Sequence, residues 1–238
     1  MQLERILHSQ GFGSRKECRA LIRTGRVGVA GVEVTDPFIE FPPLKLEFSV
    51  DGQPWRFRER VYLMLDKPVG HECSRAPRHH PSVFDLLPEP LRRREAQPVG
   101  RLDEDTSGLL LFSDDGAFIH ALTSPKRKVP KRYRVTCRHP IDDAQIANLM
   151  AGVLLRDETM PLAALACARI DACRIELAIG EGKYHQVKRM LAAVGNRVES
   201  LRRIGIGALD LDESLGPGGR YLEAEDLARL GFGGESTL

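Results

Sequence analysis

The sequence predicts an α+β protein: a small basic unit of helices and a hairpin, then a larger domain on a largely antiparallel, mixed β-sheet flanked by helices. Two observations carry this. Residues 1–34 pattern as helix, capped helix and hairpin. From residue 61 onward, short apolar or alternating runs between Gly, Asp and Pro turns outnumber helical stripes. At 238 residues the chain has room for one medium domain and a small one, and its 42% hydrophobic content is ordinary for a globular protein. No apolar run approaches the roughly 18–20 residues that span a bilayer. Residues 1–17 carry charges throughout, unlike a signal peptide. The expectation is a cytoplasmic protein without membrane attachment. Cys18, Cys73, Cys137, Cys167 and Cys173 are odd in number and form no C-x-x-C pair, so they read as reduced thiols.

In chain order, Leu3, Ile6 and Leu7 share one face of a short helix, which Gly11-Phe12-Gly13 ends. Ser14 and Glu17 form a capping box for a second helix, with Cys18, Leu21 and Ile22 inward and Gly25 past its end. Arg15, Arg19, Arg23 and Arg26 line another face at spacings of four, four and three. Charged helix residues are usually only solvated, but four arginines in one row with no interleaved acid point to phosphate contact. Residues 1–30 carry six Lys/Arg against two Glu, a local charge of 6 − 2 = +4, although the whole chain is only +2. Val27–Val34 alternates around Ala30-Gly31 as a hairpin, and residues 51–60 read as a linker without a period.

Val61–Leu65 opens the second domain as a strand, and Lys67-Pro68-Val69-Gly70 turns the chain. His71–Pro81 reads as a polar loop; the adjacent His79 and His80 lack further ligands at metal spacing. A helix is expected over Ala117–Leu122. A basic loop, Lys126–Arg132, leads into strand Tyr133–Cys137, and residues 126–138 hold seven Lys/Arg and no acid. Asp142-Asp143 starts a helix reaching about Ala151. Leu165–Ile170 and Cys173–Ile179 read as strands. Tyr184–Val194 reads as a helix with Tyr184, Val187, Leu191 and Val194 inward and with His185, Lys188 and Arg189 off that stripe.

The stretch 100–116 is the centre of the chain. It sets Asp103 on an acidic loop between the approach strand Pro98–Leu102 and the apolar run Leu109–Phe112, which Asp114-Asp115-Gly116 stops. Three readings compete for it. It is a polar turn whose Asp and Ser satisfy amides. It is a calcium loop built on Asp103, Asp105, Ser107 and Asp114, which would want a Glu at the twelfth place and flanking helices. Or it is a catalytic carboxylate beside Arg101.

Gly100-Arg101-Leu102-Asp103, followed by Thr106, Gly108-Leu109-Leu110-Leu111, Ser113 and Asp115-Gly116, resembles the active-site signature of pseudouridine synthases of the small-ribosomal-subunit type. Leu65–Gly70, Thr123-Ser124-Pro125, Lys131–Val135 and Glu181–Met190 match the same family in the same order. Asp66 departs from it, because the family usually carries Asn there. The N-terminal helices and hairpin resemble an S4 RNA-binding domain. The resemblance thus implies an S4 domain at 1–50, a linker at 51–60 and a pseudouridine-synthase catalytic domain at 61–238.

It also implies an activity: isomerisation of one uridine of ribosomal RNA, most simply uridine 516 of 16S RNA, with 23S RNA as the alternative target. Detaching the base from C1′ and rejoining it through C5 needs no redox step, so no cofactor and no metal are expected. A carboxylate can trap C1′ or remove the C2′ proton. By resemblance, Asp103, Tyr133 and Lys188 are the catalytic set. Arg15, Arg19, Arg23, Arg26, Lys67, Arg101, Lys131, Arg132, His185 and Arg189 are the expected RNA contacts. The expected partner is ribosomal RNA in a pre-ribosomal particle, bound by a monomer. The rivals are a non-catalytic RNA-binding assembly factor and a metal-dependent hydrolase using Asp103 and Asp105.

Overall fold

In the computed structural model, which describes residues 1–233, the chain starts with α1 (Leu3–Ser9) and α2 (Arg15–Arg23). The capping box is closed: Glu17 N–H donates to the Ser14 hydroxyl and Ser14 N–H to the Glu17 carboxylate. Strands β1 (Val27–Val29) and β2 (Val32–Glu33) form the expected hairpin. Its turn residues Ala30 and Gly31 are both left-handed, at φ +50° and +78°, as a tight hairpin turn demands. Strand β3 (Glu47–Val50) pairs with β1, and β4 (Gln53–Arg56) pairs with β3, all antiparallel. The expected linker at 51–60 is therefore corrected: Gln53–Arg56 is an edge strand of the small sheet. Asp51-Gly52, at φ +51° and +75°, is the Asp-Gly hairpin turn that announces it. Four residues interrupted by Pro54 are too few to display a period.

The larger domain runs through β5 (Tyr62–Lys67), α3 (Glu89–Arg93), β6 (Gln97–Pro98), β7 (Thr106–Ser113), α4 (Gly116–Thr123) and β8 (Lys131–Cys137). It continues with α5 (Asp143–Ala151), β9 (Ala166–Arg169), β10 (Arg174–Ile179), α6 (Gln186–Ala193), β11 (Val198–Ile206), β12 (Leu209–Asp210), β13 (Arg220–Tyr221) and α7 (Ala224–Arg229). These build a nine-stranded sheet in the order β13-β5-β7-β11-β8-β10-β9, with β6 on β7 and β12 on β11. Its strand pairs are antiparallel except β7 with β11. The expected α+β class and largely antiparallel sheet are observed.

Both faces of the centre are covered. Leu63, Leu65, Leu110 and Phe112 pack into one core with Tyr133, Val135 and Leu177. Tyr62, Met64, Leu109 and Leu111 pack into the other with Phe118, Leu122 and Leu227. Burial on two sides is why Leu109–Phe112 reads as a continuous apolar run. The two parts of the chain meet at Trp55, whose ring stands edge-on to Phe12 at 5.3 Å and to Tyr221 at 6.5 Å. Arg94 braces the same junction, donating to Asp114 at 2.6 Å, to the Arg58 carbonyl at 2.7 Å and to the Gln10 side chain at 3.2 Å. Among the described residues no helix is long and apolar enough to cross a membrane.

Candidate active site

Asp103 lies in the crossing from β6 to β7. The approach strand is shorter than expected: pairing ends after Val99 N–H donates to the Leu111 carbonyl at 2.7 Å. The chain then turns at Gly100, at φ +77°. Thr106 N–H closes the turn on the Asp103 carbonyl at 3.1 Å, and β7 begins. Gly108 has a steric reason to be glycine. It sits at φ +102°, and a Cβ there would stand 2.2 Å from the Arg203 carbonyl oxygen on β11.

Lys67, expected to contact RNA, is corrected. It is 0% exposed. Its ammonium donates to the carbonyls of Pro68 (2.9 Å), Glu104 (3.2 Å) and Thr106 (2.9 Å). It is an internal brace tying the end of β5 to the turn that follows Asp103, and burial pulls its pKa below the ordinary lysine value. Sequence alone assigns a lysine to the surface; three converging carbonyls become visible only when the loop folds back.

From the opposite side, α6 brings the basic groups. The Lys188 ammonium lies 3.4 Å from Asp103 Oδ2 and 2.5 Å from Asp105 Oδ1. Burial pulls Lys188 down, but the Asp105 hydrogen bond and the Asp103 and Asp105 charges outweigh it, so its pKa is raised. Asp105 is pushed up by burial and brought below its ordinary value by Lys188. Asp105 as a direct partner of Lys188 was missed, although the i, i+2 carboxylate spacing is its signal. His185 N-caps α6 in a left-handed conformation, φ +47°, and its Nε2 stands 3.4 Å from Asp103 Oδ1. Tyr184, expected inward on α6, is corrected. The helix starts at Gln186, and Tyr184 is 75% exposed, stacked on His185 at 3.8 Å.

Tyr133 lies on β8 beside this cluster, buried against the core, and among the described residues its hydroxyl makes no hydrogen bond. It shares a cavity of about 340 Å³ with Arg101, Asp103, Thr106, His185 and Lys188. Leu201 of β11 also lines it. That strand was not expected, because Arg202 and Arg203 interrupt its apolar alternation. The structure thus brings together Asp103, Tyr133, Lys188, Arg101 and His185. Lys131 stands behind Tyr133 in an adjoining cavity.

The remaining basic residues divide. Arg132 is paired with Asp210 at 2.5 Å and Arg189 with Asp157 at 3.5 Å. In the N-terminal unit Arg19 is paired with the buried Glu4 and lies over the Phe38 ring. Arg26 grips Asp51 at 2.5 Å. Arg15 and Arg23 are exposed and, among the described residues, have no ion pair. The sequence row of four arginines carried no interleaved acid; its acids arrive from α1 and the β3–β4 turn. The calcium-loop reading fails on geometry: a strand follows Asp103, and Lys188 Nζ sits between Asp103 and Asp105 where a cation would bind.

Residues 61–193 match the RNA pseudouridylate synthase family. The chain belongs to that family. The RNA pseudouridine synthase YtzG of Bacillus subtilis is 40% identical over 234 residues, 97% of this chain and 98% of the relative. Ribosomal small subunit pseudouridine synthase A of Yersinia pestis is 39% identical over 235 residues (97% and 98%). Its Escherichia coli K12 namesake is 38% identical over 232 residues (97% and 100%). A crystal structure of a pseudouridylate synthase superposes with a TM-score of 0.68 at 34% identity, covering 97% of this chain and 99% of that one. The enzyme is therefore a pseudouridine synthase similar along its whole length to the small-subunit type.

Proposed function

We propose that the protein converts one uridine of 16S ribosomal RNA, uridine 516, to pseudouridine, with Asp103 as the reacting carboxylate. The observation that carries this is a carboxylate on a turn braced by Lys67, facing Lys188 and His185 in a cavity it shares with Tyr133. End-to-end similarity to small-subunit enzymes supports the choice of RNA. The target base leaves its stack at a cost of a few kcal/mol and enters the cavity. Asp103 attacks C1′ or removes the C2′ proton, breaking the C1′–N1 bond; the base turns and C5 joins C1′. The Lys188 ammonium, 3.4 Å from the Asp103 carboxylate, is the cation that faces the reacting group in either step. Tyr133 stacks on the base, and its hydroxyl relays the C5 proton, passing its own proton on as it accepts that one. The N-terminal unit, extended to Arg56 by β4, acts as an S4 domain that holds flanking phosphates through Arg15 and Arg23. The enzyme works as a cytoplasmic monomer on a pre-ribosomal particle.

The test is to map pseudouridines in ribosomal RNA from cells with and without this gene, and from cells carrying Asp103→Asn. One 16S site should vanish in both altered strains. The amide keeps the shape of the carboxylate but can neither add to C1′ nor accept the proton, so turnover should fall by several orders of magnitude while RNA binding persists. A lost 23S site instead would move the target, and an unchanged map would return the protein to a binding role.

A further inference from the structure

Among the described residues Arg203 is a buried cation without a counter-charge. It lies in the middle of β11, 3% exposed. Its Nε donates to the Leu109 carbonyl at 2.7 Å, and its buried Nη2 makes no hydrogen bond. Among the described residues it has no ion pair. Taking a guanidinium out of water without a partner is strongly unfavourable, so such a charge persists best where an anion joins it. Arg203 stands opposite Tyr133 across the β8–β11 pair. It walls a cavity of about 220 Å³ that shares Arg101, Tyr133, Gly182 and Lys183 with the Asp103 cavity. Arg101 and Lys131 add positive charge there, while Lys183 is spent on Glu158. Glu181 is the single acid of the lining, and its carboxylate accepts from Gln186. Lys131 is pushed below the ordinary lysine value by burial and then by the Arg203 charge.

We propose that Arg203, with Lys131 and Arg101, forms a subsite for the RNA phosphodiester that adjoins the target uridine. This rests on the activity proposed above. Tyr133 lines both cavities, so a nucleotide whose sugar faces Asp103 would carry its neighbouring phosphate past the ring toward Arg203. A phosphate contact reads no base; it registers the strand so that the uridine, and not its neighbour, meets Asp103. The planar guanidinium and the Lys131 ammonium supply charge-assisted donors suited to phosphate oxygens.

Arg203→Gln isolates the charge. Gln Nε2 stands as many bonds from Cα as Arg Nε, so it can keep the bond to the Leu109 carbonyl while the guanidinium is lost. Affinity and single-turnover rate are measured on a 16S RNA fragment with all phosphates, and on two versions with a neutral methylphosphonate on one side or the other of the target uridine. In the wild type, one of the two neutral linkages should weaken binding about tenfold, and that linkage should have little further effect in Arg203→Gln. Equal losses in both proteins, or none in the wild type at either linkage, overturn the subsite. Should Arg203→Gln fail to fold by thermal melting, Lys131→Gln on the same RNAs is read the same way. A wild type that makes no pseudouridine in this RNA overturns the activity itself and the subsite with it; lost coupling in an active enzyme overturns the subsite alone.

Discussion

Lys188 shows how one residue can be read by its charge state. It is protonated more tightly in the folded chain than in the unfolded one. Its contribution to stability is therefore full below the unfolded value and lost as pH rises through the higher folded one. Asp105 runs the other way: its contribution is present above the unfolded value and lost as pH falls through its depressed folded one. Between about pH 5 and 10 both groups stay charged, so the kcat/KM profile should show no limb that Lys188→Arg removes. Lys188→Arg should stay within about tenfold of wild type, and Lys188→Met should lose roughly 10²–10³, the usual scale for removing one preorganised electrostatic partner. A Lys188→Met enzyme with full activity would show that Asp103 needs no cation. At Tyr133, stacking and proton transfer separate by mutation. Tyr133→Phe should keep RNA affinity but slow single turnover, while Tyr133→Ala should also lose roughly 1–3 kcal/mol of binding. Unimpaired turnover by Tyr133→Ala on the same RNA would make this ring a core residue only.

At the scale of the element, α2 carries two kinds of arginine on one row, and Arg26, expected on that row, lies past the helix end at Thr24. Arg15 and Arg23 point into solvent, whereas Arg19 answers the buried Glu4 and Arg26 answers Asp51. Replacing Arg15 and Arg23 together with Ala should leave the melting temperature nearly unchanged. It should make the slope of log K against log salt shallower by about 1.4–1.8 for two lost phosphate contacts. Arg19→Ala should lower the melting temperature instead, because it strands a carboxylate at 3% exposure. Equal salt slopes for the double variant and wild type would remove α2 from the RNA interface. Strand β11 is the element least visible beforehand. Its two arginines fall on opposite faces, one paired with Asp66 at 2.6 Å, one sealed inside. Asp66, where the family usually has Asn, finds its partner here.

For the whole molecule, the question is what couples the N-terminal unit to the catalytic domain. Arg94 carries much of it: its side chain is 8% exposed and reaches Asp114 from the second domain, the Arg58 carbonyl from the connection and Gln10 from the first. Arg94→Ala leaves Asp114 without its cation and removes one donor each from Gln10 Oε1 and the Arg58 and Glu59 carbonyls. Breaking such a buried pair costs about 3–5 kcal/mol, read as a lower denaturant midpoint. The junction at Trp55 should loosen as well, giving faster proteolysis between residues 51 and 60. An unaltered midpoint would place the coupling in the Phe12–Trp55–Tyr221 contact alone.

Local rules sufficed for much of this protein. The capping box at Ser14, the Ala30-Gly31 hairpin, the Asp142 helix start and the buried run at Leu109–Phe112 each depend on residues within a few positions of one another, so their signals sit in the sequence. The motif around Asp103 is equally contiguous, but its residues alone left three readings open and the family resemblance chose among them. What the tertiary structure decided was the fate of charges. Lys67, Arg19, Arg26 and Arg203 look alike as isolated basic residues, yet one braces a turn, two pair with distant acids and one is buried unpaired. Apart from the Pro68 carbonyl next to Lys67, their partners lie 15 to 94 positions away, and no local pattern encodes which charge will find a partner across the fold.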